Sequence, residues 1–115
     1  MRFFLVAALL SSGPVACGVA CNFDAEPAHV VSVVDRQMGL VLCTADVTAT
    51  DGSYSVTLTT LGPLPDAPCV FSGAYERAGT YTVEARAEGR QSRVTGIEVT
   101  RNDCHVVPRK VDIEL

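Results

Sequence analysis

Five cysteines and two histidines are the residues of this 115-residue chain with the most chemistry to offer. The thiols of Cys17, Cys21, Cys43, Cys69 and Cys104 can be acylated, paired or metallated. His29 and His105 can ligate a metal or move a proton. Neither histidine sits in a metal-protease pattern, and each stands alone where a strand is expected to begin. A metal site through Cys104-His105 would need thiolates that an oxidising compartment removes, so structural disulfides beside exposed histidines are the expectation. No serine lies in a nucleophile elbow, and no glycine-rich loop opens a helix to cradle phosphate. Asp46, Asp51 and Asp66 could meet at one end of a sheet and hold calcium, but their spacing fits no calcium loop; turn-forming acids are the expectation. The chain is therefore expected to be no enzyme and to need no cofactor or metal.

The cysteines also carry an address. Met1-Arg2 supplies a positive charge, FFLVAALL at residues 3 to 10 an apolar run, and SSGPVA small residues up to Cys17. That is the layout of a secretory signal, too short for the roughly 20 apolar residues that span a bilayer. A cysteine at the end of such a signal resembles a bacterial lipobox, whose thiol is diacylated before cleavage. PVAC ending at Cys17 and GVAC ending at Cys21 both place alanine before the cysteine, and both lack the usual leucine three places back. Pro14 counts against Cys17. Cys17 is favoured because it lies nearer the apolar run and leaves four cysteines, an even number; Cys21, which would leave three, is the alternative. The expected division is a signal peptide at 1–16, a lipidated N-terminus and linker at 17–28, and a domain at 29–115. The expected location is the bacterial envelope, membrane-anchored through lipid, with plain secretion as the alternative.

Charge narrows the partners. Removal of Arg2 leaves eight basic against thirteen acidic residues, a net charge of −5. The front half of the mature chain is acidic, with Arg36 as its one basic residue before Arg77. Nucleic acid wants a basic stripe, so it is not expected as a partner.

Short strands separated by turn signals must position whatever the chain presents. Tyr81, Val83, Ala85 and Ala87 alternate with Thr80, Thr82, Glu84 and Arg86 between Gly79 and Gly89, the period of a half-buried strand. Similar runs are read at His29 to Asp35, Cys43 to Thr50, Tyr54 to Thr59, Cys69 to Tyr75, around Val94 to Val99, and Cys104 to Leu115. Asp51-Gly52 is the strongest hairpin signal. Val94 is out of phase with Ile97 and Val99, and Gly96 between them predicts a bulge. Residues 62–68, GPLPDAP, hold three prolines and read as a loop between sheets. Seven strands without a helical period predict an all-β sandwich.

Several of these segments together resemble the carboxypeptidase regulatory-like domain, a prealbumin-like (transthyretin-like) sandwich. Asp35 to Ala45 corresponds to that family's "D..G.PL.GA" passage and Val47-Thr48-Ala49 to its "VTV". Ala78 to Val83 corresponds to "PGTYTLTV", Glu88 to Gln91 to "PGYQ", and Val111 to Leu115 to the closing "VDVXL". The chain departs from the pattern at Leu40-Val41, Ala78 and Arg90, and the cysteines are additional. The resemblance implies a seven-stranded prealbumin-like or Ig-like sandwich with no catalytic residues. It implies an accessory role in protein or carbohydrate contact, folding support or surface display.

Two surfaces invite a binding reading: the charged residues Glu84, Arg86, Glu88, Arg90 and Arg93, and the proline loop with Phe71 and Tyr75. Solubilising charge pairs and a plain inter-sheet loop account for both. Four cysteines allow three pairings. Cys69 and Cys104 each follow a turn and open a strand, which favours Cys69–Cys104 and leaves Cys21–Cys43. An envelope-tethered, non-enzymatic module is the expected function. A secreted carrier or inhibitor that binds a small ligand or protein through the sandwich loops is the alternative.

Overall fold

The structure, a computed structural model, describes residues 20–62 and 68–115. Seven strands appear there: β1 (His29–Val34), β2 (Asp46–Asp51), β3 (Tyr54–Leu58), β4 (Phe71–Gly73), β5 (Gly79–Ala87), β6 (Arg90–Val99) and β7 (Arg109–Glu114). They form a three-stranded sheet, β4-β1-β7, and a four-stranded sheet, β3-β2-β5-β6. The all-β sandwich is thus present. The signal peptide and Cys17 lie outside the described residues, as do Asp66 and most of the proline loop.

Alternation sets each strand's inner face. In β5, Tyr81, Val83 and Ala85 are buried and their neighbours are not. His29, Val31 and Val33 of β1 and Val47 and Ala49 of β2 join them, with Leu58, Phe71, Ile97, Val99, Val106, Val111 and Ile113. The β2–β3 hairpin turns through Gly52-Ser53, with Gly52 at φ +61°. Glycine first and an ordinary residue second make a type II′ turn. The β5–β6 hairpin turns through Glu88-Gly89, at φ +55° and +77°, a type I′ turn. At Gly96, φ +70°, the expected bulge is present. Tyr81 pairs with Ile97 and Val83 with Val94, so Thr82 faces two residues. That extra residue returns Ile97 and Val99 to the core side. β2 begins at Asp46 rather than Cys43, because residues 43 and 44 are still in a turn.

The first and last strands lie side by side. β1 and β7 run parallel, from His29 beside Arg109 to Val34 beside Glu114, while β4 runs antiparallel to β1. Both open sides of the sandwich are laced. Thr59 and Ser72 exchange backbone hydrogen bonds of 3.0 and 2.8 Å, joining the end of β3 to β4. Opposite, the Val107 N–H donates to the Thr100 carbonyl at 2.8 Å, and the Arg109 guanidinium to the Glu98 carbonyl at 2.6 Å.

This topology corrects the expected disulfides. Cys21 is bonded to Cys104 and Cys43 to Cys69, with Cα separations of 5.4 and 5.7 Å. Cys69 enters an antiparallel neighbour of β1 and so lies towards the C-terminal end of β1. Cys104 approaches a parallel neighbour and lies towards its N-terminal end. The two cysteines that follow turns therefore stand at opposite ends of one sheet and cannot meet.

Candidate functional site

One end of the sandwich gathers the N-terminal segment, the turn before β5 and the loop before β7. Glu76 is the hub. Its backbone is held at φ +57°, uncommon for a non-glycine residue. Its Oε2 accepts from the Glu26 N–H at 2.9 Å and meets His105 Nδ1 at 2.5 Å. Its Oε1 accepts from the Val106 N–H at 3.2 Å. Arg101 lies 3.7 Å from the carboxylate and donates to the Glu76 carbonyl at 3.0 Å. The Glu26 N–H, with help from His105 and Val106, holds the Glu76 carboxyl below the usual carboxylate range against the opposing effect of burial.

His105 is held in turn. Nε2 lies 3.1 Å from Asn22 Oδ1, and the Asn102 side chain accepts from the Cys104 and His105 N–H groups at 2.8 Å each. The Cys21–Cys104 bond closes the same cluster. A carboxylate–histidine pair is the base-and-orienter half of a hydrolytic triad. Here the outer imidazole nitrogen faces an amide oxygen, and the two adjacent sulfurs are joined to each other. Among the described residues no group of three His, Cys, Asp or Glu side chains is placed to hold a metal. The arrangement can clamp a segment of the chain.

It clamps residues 22–28, whose small polar composition reads as a spacer. Glu26 and Glu76 exchange backbone and side-chain bonds, the Ala28 N–H donates to the Gly73 carbonyl at 3.1 Å, and Ala28 is fully buried.

A second feature lies beside β4, a groove of about 220 Å³ lined by Thr59, Leu61, Pro68, Val70, Ser72 and Tyr75. It is smaller than the roughly 300 Å³ at which small-molecule sites begin. Leu61 and Tyr75 are 90% and 53% exposed on its rim. Phe71, expected alongside Tyr75, is a core residue instead.

Compared with known proteins, the chain matches no family model, no curated protein and no solved structure.

The charged residues expected on one face divide between two places. Glu84 lies between Arg86 and Arg93, at 3.6 and 3.9 Å, on the outside of the four-stranded sheet. Arg90 instead reaches Asp35 at 3.3 Å, Glu88 at 2.9 Å and the Leu115 carbonyl at 3.2 Å. Backbone N–H groups of Met38 and Gln37, together with Arg90, hold the Asp35 carboxyl low. Asp46 and Asp51 are the two ends of β2, separated by about five strand rises or ~17 Å, and cannot share an ion. Asp51 pairs with Arg77 at 3.1 Å, an ordinary structural role.

His29 is a correction. Expected to be exposed, it is fully buried, and neither ring nitrogen has a hydrogen-bond partner. It shares the inward parity of Val31 and Val33, a pattern present in HVVSVV. Burial first, and the Arg109 charge second, push its pKa down, so it is neutral. Asn22 and Glu76 escaped the sequence reading altogether. Each is a polar residue in a turn or coil, and only the fold brings them to His105.

Proposed function

We propose that the chain is a non-enzymatic, envelope-tethered lipoprotein module, acylated at Cys17, with an accessory binding or structural role at the bacterial surface or in the periplasm. The observation that carries this reading is the Cys21–Cys104 bond. A sulfur in a disulfide cannot also carry a lipid thioether, so the pairing of Cys21 favours Cys17 as the acylated residue. Two disulfides in a small domain favour an oxidising compartment. The seven strands in sheets of three and four support the resemblance to the prealbumin-like, carboxypeptidase regulatory-like sandwich. The Glu76–His105 pair, whose outer imidazole nitrogen faces Asn22 beside the Cys21–Cys104 bond, supports attachment of the N-terminal segment. On this reading the anchor is the N-terminal lipid, and the partner is a protein or carbohydrate.

Labelled palmitate supplied to cells making the full chain tests this. Label should enter the protein, vanish in Cys17→Ser and persist in Cys21→Ser. Absence of label from every form would overturn lipid anchoring. The alternative, a secreted carrier or inhibitor, draws on the apolar groove beside β4, with Leu61, Val70 and Tyr75 at its wall. Release of unlabelled protein into the medium would favour it.

A further inference from the structure

We propose that the Cys21–Cys104 disulfide is a thiol–disulfide exchange site for a small thiol or a dithiol reductant. Opening it frees residues 21–25 while the sandwich stays folded.

The two disulfides differ in their surroundings. Cys21 is exposed and Cys104 half-buried, whereas Cys69 is 1% exposed and Cys43 half-buried. Exchange requires a thiolate to approach one sulfur in line with the bond it breaks, so access to the attacked sulfur governs the rate. The first bond offers that access at Cys21. The second joins a core residue, Cys69, to the half-buried Cys43.

The two halves of the first bond also differ in how they are held. Residues 21–25 are all exposed, and Phe23 has no cover at all. Beyond the disulfide, the hydrogen bond joining this stretch to the domain is the 3.1 Å approach of Asn22 Oδ1 to His105 Nε2. Glu26 is the next fixed point, through its exchange of bonds with Glu76. Cys104 remains held by the Asn102 side chain and by the Thr100–Val107 backbone bond. Once the bond is cut, Cys21 gains freedom and Cys104 stays in place. None of the strand pairings runs through residues 21–25.

The chemistry balances with a dithiol. Its thiolate attacks Cys21 Sγ, a reductant–Cys21 bond forms, and the Cys21–Cys104 bond breaks with its electron pair on Cys104 Sγ. The second thiol, as thiolate, attacks the reductant sulfur of the mixed disulfide and expels Cys21 as thiolate. Two electrons and two protons pass from the dithiol to the two cysteines, and the reductant leaves as its own disulfide.

If Cys17 is acylated, as proposed above, the bond sets the reach of the domain. Closed, the four residues from Cys17 to Cys21 span at most ~14 Å; open to Glu26, nine residues span ~30 Å. The exchange site itself does not depend on acylation, and the palmitate experiment tests that separately.

The test uses the full chain isolated without reductant. Free thiols are first blocked with a light alkylating reagent. The protein is then exposed to graded dithiothreitol, trapped with a heavy reagent and mapped by mass spectrometry. Cys21 and Cys104 should take the heavy label at a dithiothreitol concentration about tenfold below that for Cys43 and Cys69. Under that selective condition chymotrypsin should cut after Phe23 about ten times faster, with amide-exchange protection of β1, β5 and β7 unchanged. The double variant Cys21→Ser/Cys104→Ser should show the fast cut without reductant. Simultaneous labelling of both pairs, earlier labelling of Cys43 and Cys69, loss of strand protection when the first bond opens, or failure of the double variant to fold would each overturn the proposal.

Discussion

The His29 imidazole stands edge-on to the Tyr81 ring, with 4.4 Å between centroids and 86° between planes. The contact joins β1 of one sheet to β5 of the other within the core. Tyr81 satisfies its own polar atom: its hydroxyl donates to the Arg77 carbonyl at 2.7 Å and accepts from the Arg77 guanidinium at 3.0 Å. Arg77 in turn lies 3.8 Å over the Tyr54 ring and bonds Asp51, and the Tyr81 hydroxyl and then Asp51 hold its pKa up. His29 has no such partner, so it fits the core only when neutral.

That requirement gives a pH dependence. The folded pKa of His29 lies below its unfolded value, so the unfolded chain binds the proton first. Stability is therefore full above about pH 6.5 and declines as pH falls from there towards the folded pKa. His29→Phe should flatten the dependence between about pH 7 and 5, where Asp and Glu contribute little. Urea unfolding at a series of pH values reads it. An unchanged slope in the variant would remove His29 as the cause.

Glu76 acts lower on the scale. Its folded pKa is depressed, chiefly by the Glu26 N–H, so its contribution is full above the unfolded carboxylate value and is lost as pH falls through the folded one. Glu76→Gln keeps the shape and removes the charge. The acid limb of stability below about pH 4 should become shallower, and cleavage after Phe23 at neutral pH should become faster. A variant with wild-type cleavage would show that the carboxylate does not hold the N-terminal segment.

The two disulfides should differ in worth, in an order that loop length alone reverses. Chain entropy rates the 83-residue separation at roughly 4.5 kcal/mol and the 26-residue one at roughly 3.5 kcal/mol. Cutting the first, however, also frees five exposed residues in the folded state, at about 1 kcal/mol each, which is enough to cancel that gain. Cutting the second opens a gap around buried Cys69. Cys43→Ala/Cys69→Ala should therefore lower the unfolding free energy by about 3 kcal/mol or more, and Cys21→Ala/Cys104→Ala by less. Equal or reversed losses in urea would contradict the offset.

Glu88 occupies a position made for another residue. The first central residue of its type I′ turn sits at φ +55°, where asparagine and glycine are favoured. Glu88→Asn should stabilise the domain by about 0.5–1 kcal/mol, since the Glu88–Arg90 pair it removes is solvent-exposed and worth little. A lowered urea midpoint would mean that the ion pair outweighs the backbone.

What could be read beforehand was local. Period two in β5, glycine after Asp51 and the phase slip around Gly96 are written in neighbouring residues, and each produced the expected element. Disulfide pairing was not local. It depends on β4 running against β1 and β7 running with it, a choice no short segment encodes. Glu76, Asn22 and His105 were hidden for the same reason: 83 residues separate the histidine from the asparagine. His29 was half visible. Its parity with Val31 and Val33 pointed inward, but its position at the head of a strand suggested solvent.

The parallel pairing of β1 with β7 has a temporal consequence. The central strand of the smaller sheet is the first of the seven strands to be made, and one of its two neighbours is the seventh. A chain that emerges from its N-terminus can form the β2–β3 and β5–β6 hairpins as they appear, because their partners are adjacent. The β1–β7 ladder must wait for residues 109 to 114. Pairings of such long separation fold slowly, on the millisecond-to-second scale of all-β domains. Until then one edge of β1 stays unpaired, and the loop leading into β7, which carries Cys104 and His105 of the N-terminal clamp, lacks that strand to hold it.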